Sequence, residues 1–222
     1  MTRPAAARRT RAAARCIWAA VLCALLTPAA IAGGVPAIAQ EYQRELTRQV
    51  QQQWGLDGPV ALHGAQIHQE SAWRADVDSP VGAQGLAQFM PATADWIAEI
   101  HPELGAVAPY SPRWAIAAMV RYDRRIYEGI EPMRGETVPR CDRLAMMLSG
   151  YNGGPGWVSR DRRLAAEHGA NPDRWWGHTA EHTNRADWAE RENRHYPERI
   201  IHELEPRYLR AGWRGRPTCP CD

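Results

Sequence analysis

The chain has 222 residues, of which 45 % are hydrophobic, 8 % aromatic and 23 % charged, the range of ordinary globular proteins and outside that of low-complexity or collagen-like chains. Its 27 basic and 25 acidic residues leave a formal charge of +2, which excludes a strongly basic nucleic-acid module and an acidic solvating chain. Every one of those basic residues is arginine, so a Schiff-base lysine and a Walker-type phosphate loop are excluded as well.

Arg3, Arg8, Arg9, Arg11 and Arg15 precede an uncharged run from Cys16 to Ala39 that is densest in apolar residues from Ile17 to Leu26. This is the layout of an export signal, and the small residues of Ala37-Ile38-Ala39 place its cleavage before Gln40. A retained anchor is the alternative, since about 20 apolar residues span a bilayer; the Ala-rich, weakly apolar run favours cleavage or release. Residues 1–39 are thus expected to leave, and 40–222 to act as a single domain in the periplasm or cell envelope. That domain holds 22 basic and 25 acidic residues, a net of −3, with no stripe for nucleic acid. Three of the five cysteines stay in it. In an oxidising compartment Cys141 can pair with Cys219 or Cys221, tying down the tail and leaving one thiol.

In chain order, Tyr42, Leu46, Val50 and Trp54 recur every fourth residue and predict a helix ending near Gly55. A second helix follows Pro59 and runs to about Ser71. Between Asp76 and Gln84 there is room for one short hairpin. Ser111-Pro112 opens a helix that buries Ala115, Ala118, Met119, Tyr122 and Ile126. Leu144, Met147, Leu148 and Tyr151 mark the next, stopped by Gly153-Gly154-Pro155-Gly156. Ile200, Ile201 and Leu204 mark a last helix that Pro206 should stop. From about 159 to 191 the composition shifts toward Arg, Trp, His and Asn, which reads as an irregular insertion. The fold class is mainly α, with at most a short β-hairpin or irregular loop by the cleft.

Glu70-Ser71-Ala72-Trp73 puts a carboxylate at the end of a helix whose flank (Ala61, Ala65, Ile67) is apolar. Partial desolvation raises such a pKa and lets the group hold a proton near neutrality for a leaving oxygen. After it come Gly85-Leu86-Ala87-Gln88-Phe89-Met90-Pro91-Ala92-Thr93, then Tyr151-Asn152-Gly153-Gly154, then Glu192-Asn193-Arg194-His195-Tyr196. In order and spacing these four segments resemble the catalytic domain of the soluble-type (SLT) lytic transglycosylases, lysozyme-like enzymes that cut peptidoglycan, phage and prophage relatives included. The resemblance spans about residues 60–205.

The resemblance implies a lysozyme-like helical fold, with Glu70 as the single catalytic acid and base and Ser71, Gln88, Tyr151, Asn152 and Tyr196 as substrate-binding groups. Gln88 and Asn152 would hydrogen-bond the acetamido groups, while Tyr151 and Tyr196 would wall the cleft and orient Glu70. Ala87 stands where the family usually has Met, and Gly150 where it usually has Ala; both bear on subsite shape. The implied reaction is cleavage of the MurNAc-β-1,4-GlcNAc bond with closure of a 1,6-anhydro ring, which needs no second carboxylate. It calls for no cofactor and no metal. The implied partner is the glycan strand, met by a monomer, with a secretion apparatus or a phage machine as further possibilities.

Two other readings use the same scaffold: a goose-type hydrolase in which Asp76 or Asp78 positions a water, and a wall-binding or assembly protein without turnover. Trp73 suits the core better than a sugar-stacking platform. His178-Thr179-Ala180-Glu181-His182 matches an inverted zinc-protease pattern, but Pro172, Gly177 and Asn184 break the helix that pattern needs.

Overall fold

The computed structural model describes residues 34–135 and 137–219; most of the expected signal segment lies outside them. Among the described residues the structure is built from helices, with no named strand. Its helices are α1 (Ala39–Trp54), α2 (Val60–Ser71), α3 (Pro91–Ile100), α4 (Pro112–Glu128), α5 (Arg140–Gly153), α6 (Pro155–Glu167), α7 (Asp187–Glu198) and α8 (Glu205–Arg210). The bond expected to be cleaved, between Ala39 and Gln40, falls in the first turn of α1.

Helices α2 and α4 form the centre. Val60 to Ile67 is buried on every side, and so is most of Trp114 to Asp123, so neither helix shows a broad solvent face there. Helix α1 lays Leu46 and Val50 on this centre, packing against α4 and α2, and ends at Gly55, whose φ of 80° suits glycine. Helix α5 packs between α4, α6 and α7. Trp73 is 1 % exposed and donates its indole N–H to the Tyr208 hydroxyl at 2.5 Å, so it belongs to the core.

Pro206 does not stop the last helix. From Arg199 to Leu204 the chain takes a π turn, with the Glu205 N–H bonded to the Ile200 carbonyl, and α8 then continues to Arg210. In α geometry the Pro206 ring would strike the carbonyl four residues back; the wider turn makes room for it, and its missing N–H falls in the first turn of α8. The stretch read as irregular starts inside α6 and ends inside α7. Only the residues between them, with a short 3-10 turn at Thr179–Glu181, lack α-helix. Asp161 explains why α6 is hard to read: it is 1 % exposed and faces Arg194 at 3.0 Å and Arg185 at 3.5 Å.

The possible hairpin is reduced to two isolated antiparallel bridges, Asp78 with Gln84 and Gln84 with Phe89, in the loop between α2 and α3. At the far end, Cys141 pairs with Cys219, with Cα atoms 4.8 Å apart, and fastens the tail to the start of α5.

Candidate active site

Glu70 occupies the last turn of α2, half-buried, where the helix runs into the loop that leads to α3. The helix is closed by Ala72 and Trp73, both with positive φ (51° and 68°), an unusual run for residues with side chains. Ser71 ties this end down: its buried hydroxyl donates to the Leu86 carbonyl at 2.8 Å. The expected substrate contact of Ser71 is therefore corrected. Its hydroxyl is spent inside the protein, and it does not line the cavity.

The Gly85-Leu86-Ala87-Gln88 segment turns back tightly. Gly85 has a φ of 69°, and a Cβ there would lie 2.1 Å from the Pro109 carbonyl oxygen, so only glycine fits. Gln88 also has positive φ (48°), and its Nε2 donates to the Gly85 carbonyl at 2.8 Å and the Val77 carbonyl at 3.1 Å. Tyr151 on α5 donates its hydroxyl to the Ala87 carbonyl at 2.7 Å, bracing the loop rather than holding Glu70. The glycine at 150 has a steric cause too, because a Cβ would meet Ile126 Cγ2 at 2.9 Å.

These elements enclose a cavity of about 360 Å³ whose lining includes Glu70, Gln88, Tyr151, Asn152 and Glu192. Tyr196, buried on α7 behind it, donates its hydroxyl to Glu70 Oε1. Burial pushes the Glu70 carboxyl up to about 8; the Tyr196 hydrogen bond opposes the rise and the Glu192 charge adds to it. Below Glu70, one turn back on α2, Gln66 Nε2 donates to Asp123 Oδ1 at 3.2 Å, and His63 Nε2 lies 3.6 Å from Asp123 Oδ2. Burial lowers His63 to about 4 and raises Asp123 well above the usual carboxylate range, so the cluster stays free of net charge beneath the cavity.

Asn193, a residue the motif reading passed over, carries the far wall. It is 1 % exposed; its Nδ2 donates to Asn152 Oδ1 at 3.0 Å and the Ser149 carbonyl at 2.9 Å, while the Ser149 hydroxyl donates to its Oδ1 at 2.7 Å. The Asn152 oxygen is thereby occupied and its amide N–H groups remain for a ligand, whereas Gln88 has spent its N–H groups and keeps an oxygen. One donor and one acceptor on a shared cavity match the C=O and N–H of an acetamido group.

Asp76 and Asp78 are exposed and do not line this cavity; Asp78 accepts the Tyr110 hydroxyl at 2.7 Å. His178 and His182 flank the short 3-10 turn, where His178 Nδ1 faces the Asn171 N–H at 3.2 Å and His182 Nδ1 the His178 carbonyl at 2.8 Å.

The family model of the transglycosylase SLT domain matches residues 45–173, the stretch that carries Glu70, the glycine-led loop and Tyr151-Asn152. The chain belongs to the SLT transglycosylase family. Similar curated proteins include membrane-bound lytic murein transglycosylase F of Marinobacter nauticus, 33 % identical over 132 residues, which are 60 % of this chain and 24 % of that protein. The protein of the same name from Yersinia pestis is 32 % identical over 108 residues, 49 % of this chain and 20 % of its own length. The chain thus spans a fifth to a quarter of these relatives. Among solved structures, the 70 kDa soluble lytic transglycosylase of Escherichia coli aligns with a TM-score of 0.56 at 22 % identity, over 81 % of this chain and 26 % of that one. An inactive mutant of lytic transglycosylase Slt from Pseudomonas aeruginosa aligns with 0.57 at 22 %, over 81 % and 25 %. The mainly helical SLT fold is shared with both.

Proposed function

We propose that this SLT domain is a peptidoglycan lytic transglycosylase with Glu70 as its one catalytic acid and base. The observation that carries the reading is a carboxyl with a pKa raised to about 8, held by Tyr196 at the edge of a cavity that also presents Gln88 and Asn152. At neutral pH such a group carries its proton into the complex, which a solvated glutamate does not.

The acetamido group of the sugar lies between the Gln88 oxygen and the Asn152 amide, which sets the ring over Glu70. Glu70 gives its proton to the oxygen bridging N-acetylmuramic acid and N-acetylglucosamine as the bond from C1 to that oxygen breaks. The muramyl C6 oxygen closes on C1, and its proton passes to the Glu70 carboxylate, restoring the acid. No water is consumed, and one carboxyl serves both steps. Tyr196 positions Glu70 throughout, and Tyr151 acts through the loop that holds Gln88.

The exposed, outlying Asp76 and Asp78 give the hydrolytic alternative no support. The glycan strand is the substrate, and the chain acts in the cell envelope after export; its curated relatives bear the name membrane-bound, and among the described residues no helix is long and apolar enough to cross a membrane. The test is Glu70→Gln: the full chain releases soluble fragments from purified peptidoglycan, and the variant, which keeps size and an acceptor for Tyr196, loses at least about a thousand-fold in rate. Wall degradation that survives the change contradicts the assignment.

A further inference from the structure

A second cavity of about 410 Å³ adjoins the one over Glu70. Tyr122 lines both. Thr93 and Trp96, neighbouring positions on α3, line one each, and so do the consecutive residues Gly154 and Pro155 at the junction of α5 and α6. Three separate pieces of chain pass from one cavity to the other, so a polymer held over Glu70 has its substituents within reach of the second.

The walls of this second cavity are apolar, from Ile126, Ile130, Pro155 and Val158. Trp96 stands at its edge, 36 % exposed and edge-on to Tyr122 with ring centroids 5.8 Å apart. The Arg125 guanidinium lies 5.4 Å from the Trp96 ring, exposed, with no hydrogen bond or ion pair among the described residues. The other charged groups of the lining are committed. Arg162 is buried on Asp173 at 2.6 Å, and Glu128 is held by Arg124 at 2.7 Å. The result is an apolar cup with one uncommitted cation at its mouth. A sugar ring, with hydroxyls all round, finds few partners in such a cup; a carboxylate beside a small apolar side chain fits it.

We propose that this cup binds the peptide stem of the glycan strand, the carboxylate of a terminal alanine on Arg125 and its methyl group against the apolar wall. The choice of ligand rests on the reading of the neighbouring cavity as a peptidoglycan site. The stem then selects which strands are cut, and Trp96 and Arg125 set that specificity.

Two measurements on the full chain test this. The first is titration with a free stem tetrapeptide ending in D-alanine, followed by NMR. Binding is expected, weakened about ten-fold in Arg125→Gln and less in Arg125→Lys. The second is the ratio of cleavage rates on stem-bearing and amidase-stripped glycan, which should fall toward one in Arg125→Gln. Absence of peptide binding, or binding that neither Arg125→Gln nor Trp96→Ala weakens, overturns the proposal. So does a Trp96→Ala loss that is equal on both glycans, the mark of a stacked sugar. If the peptide binds through Arg125 while no glycan is cut, the transglycosylase reading falls and the cup stands; if glycan is cut while the peptide does not bind, the reverse holds.

Discussion

Asn193 Nδ2 lies 3.0 Å from Asn152 Oδ1 and 2.9 Å from the Ser149 carbonyl, joining α7 to the cavity end of α5. Asn193→Ala leaves the Ser149 hydroxyl and carbonyl buried without these partners. The expected cost is about 2 kcal/mol in denaturant unfolding, together with a raised KM for glycan, because Asn152 loses the contact that fixes its orientation. An unchanged KM contradicts the role given to Asn152.

The protonation of Glu70 sets a pH dependence with a definite sign. The acid works while protonated, so kcat/KM is expected to hold through neutrality and fall as pH rises through about 8. Tyr196 opposes the rise in Glu70, so Tyr196→Phe should move that alkaline limb to higher pH while lowering the rate. Folding follows the same linkage. Between the unfolded value near 4.5 and the folded value of about 8 the native state binds more protons, so stability declines with rising pH across that window. Glu70→Gln should remove this part of the decline, which thermal melts at pH 5 and pH 8 will show.

Gly85→Ala forces a Cβ to 2.1 Å from the backbone oxygen of Pro109 at a φ of 69°. Backbone on both sides cannot yield as a side-chain tip would. The expected loss is about 3 kcal/mol or more, with activity falling further than stability because Gln88 is anchored to the same turn.

The Cys141–Cys219 bond closes a span of 78 residues, and loop-entropy arithmetic gives about 4 kcal/mol. The tail has other anchors: the Arg214 carbonyl accepts the Ala61 N–H at 2.8 Å, and Thr218 donates twice to the buried Glu205. Cys141→Ser should therefore cost about 2–4 kcal/mol, measured as a shift in unfolding midpoint, while leaving a folded protein.

The sequence made visible what depends on short-range pattern. Leu46 and Val50, or Ala115, Ala118 and Met119, bury one face at helical spacing, and that spacing predicts α1 and α4. Glu70, Gln88, Asn152 and Tyr196 stand in recognisable segments, and the fold brings them together. What stayed hidden depends on partners far along the chain. Asn193 meets Asn152 across 41 residues, and Ser71 faces inward to Leu86, so its polar type misled. Helix α6 was obscured because its inner face holds Asp161 and Arg162, whose charges read as surface until Arg185, Arg194 and Asp173 are seen to neutralise them. Pro206 reads as a stop because periodicity assumes α geometry throughout, and the π turn before it breaks that assumption.

Digestion of purified peptidoglycan in heavy-oxygen water, with mass analysis of the released muropeptides, goes most directly to the central claim that Glu70 uses the sugar's own hydroxyl. The account predicts fragments one water lighter than hydrolysed ones, ending in anhydro sugar and free of label. Reducing ends carrying the heavy oxygen would contradict it.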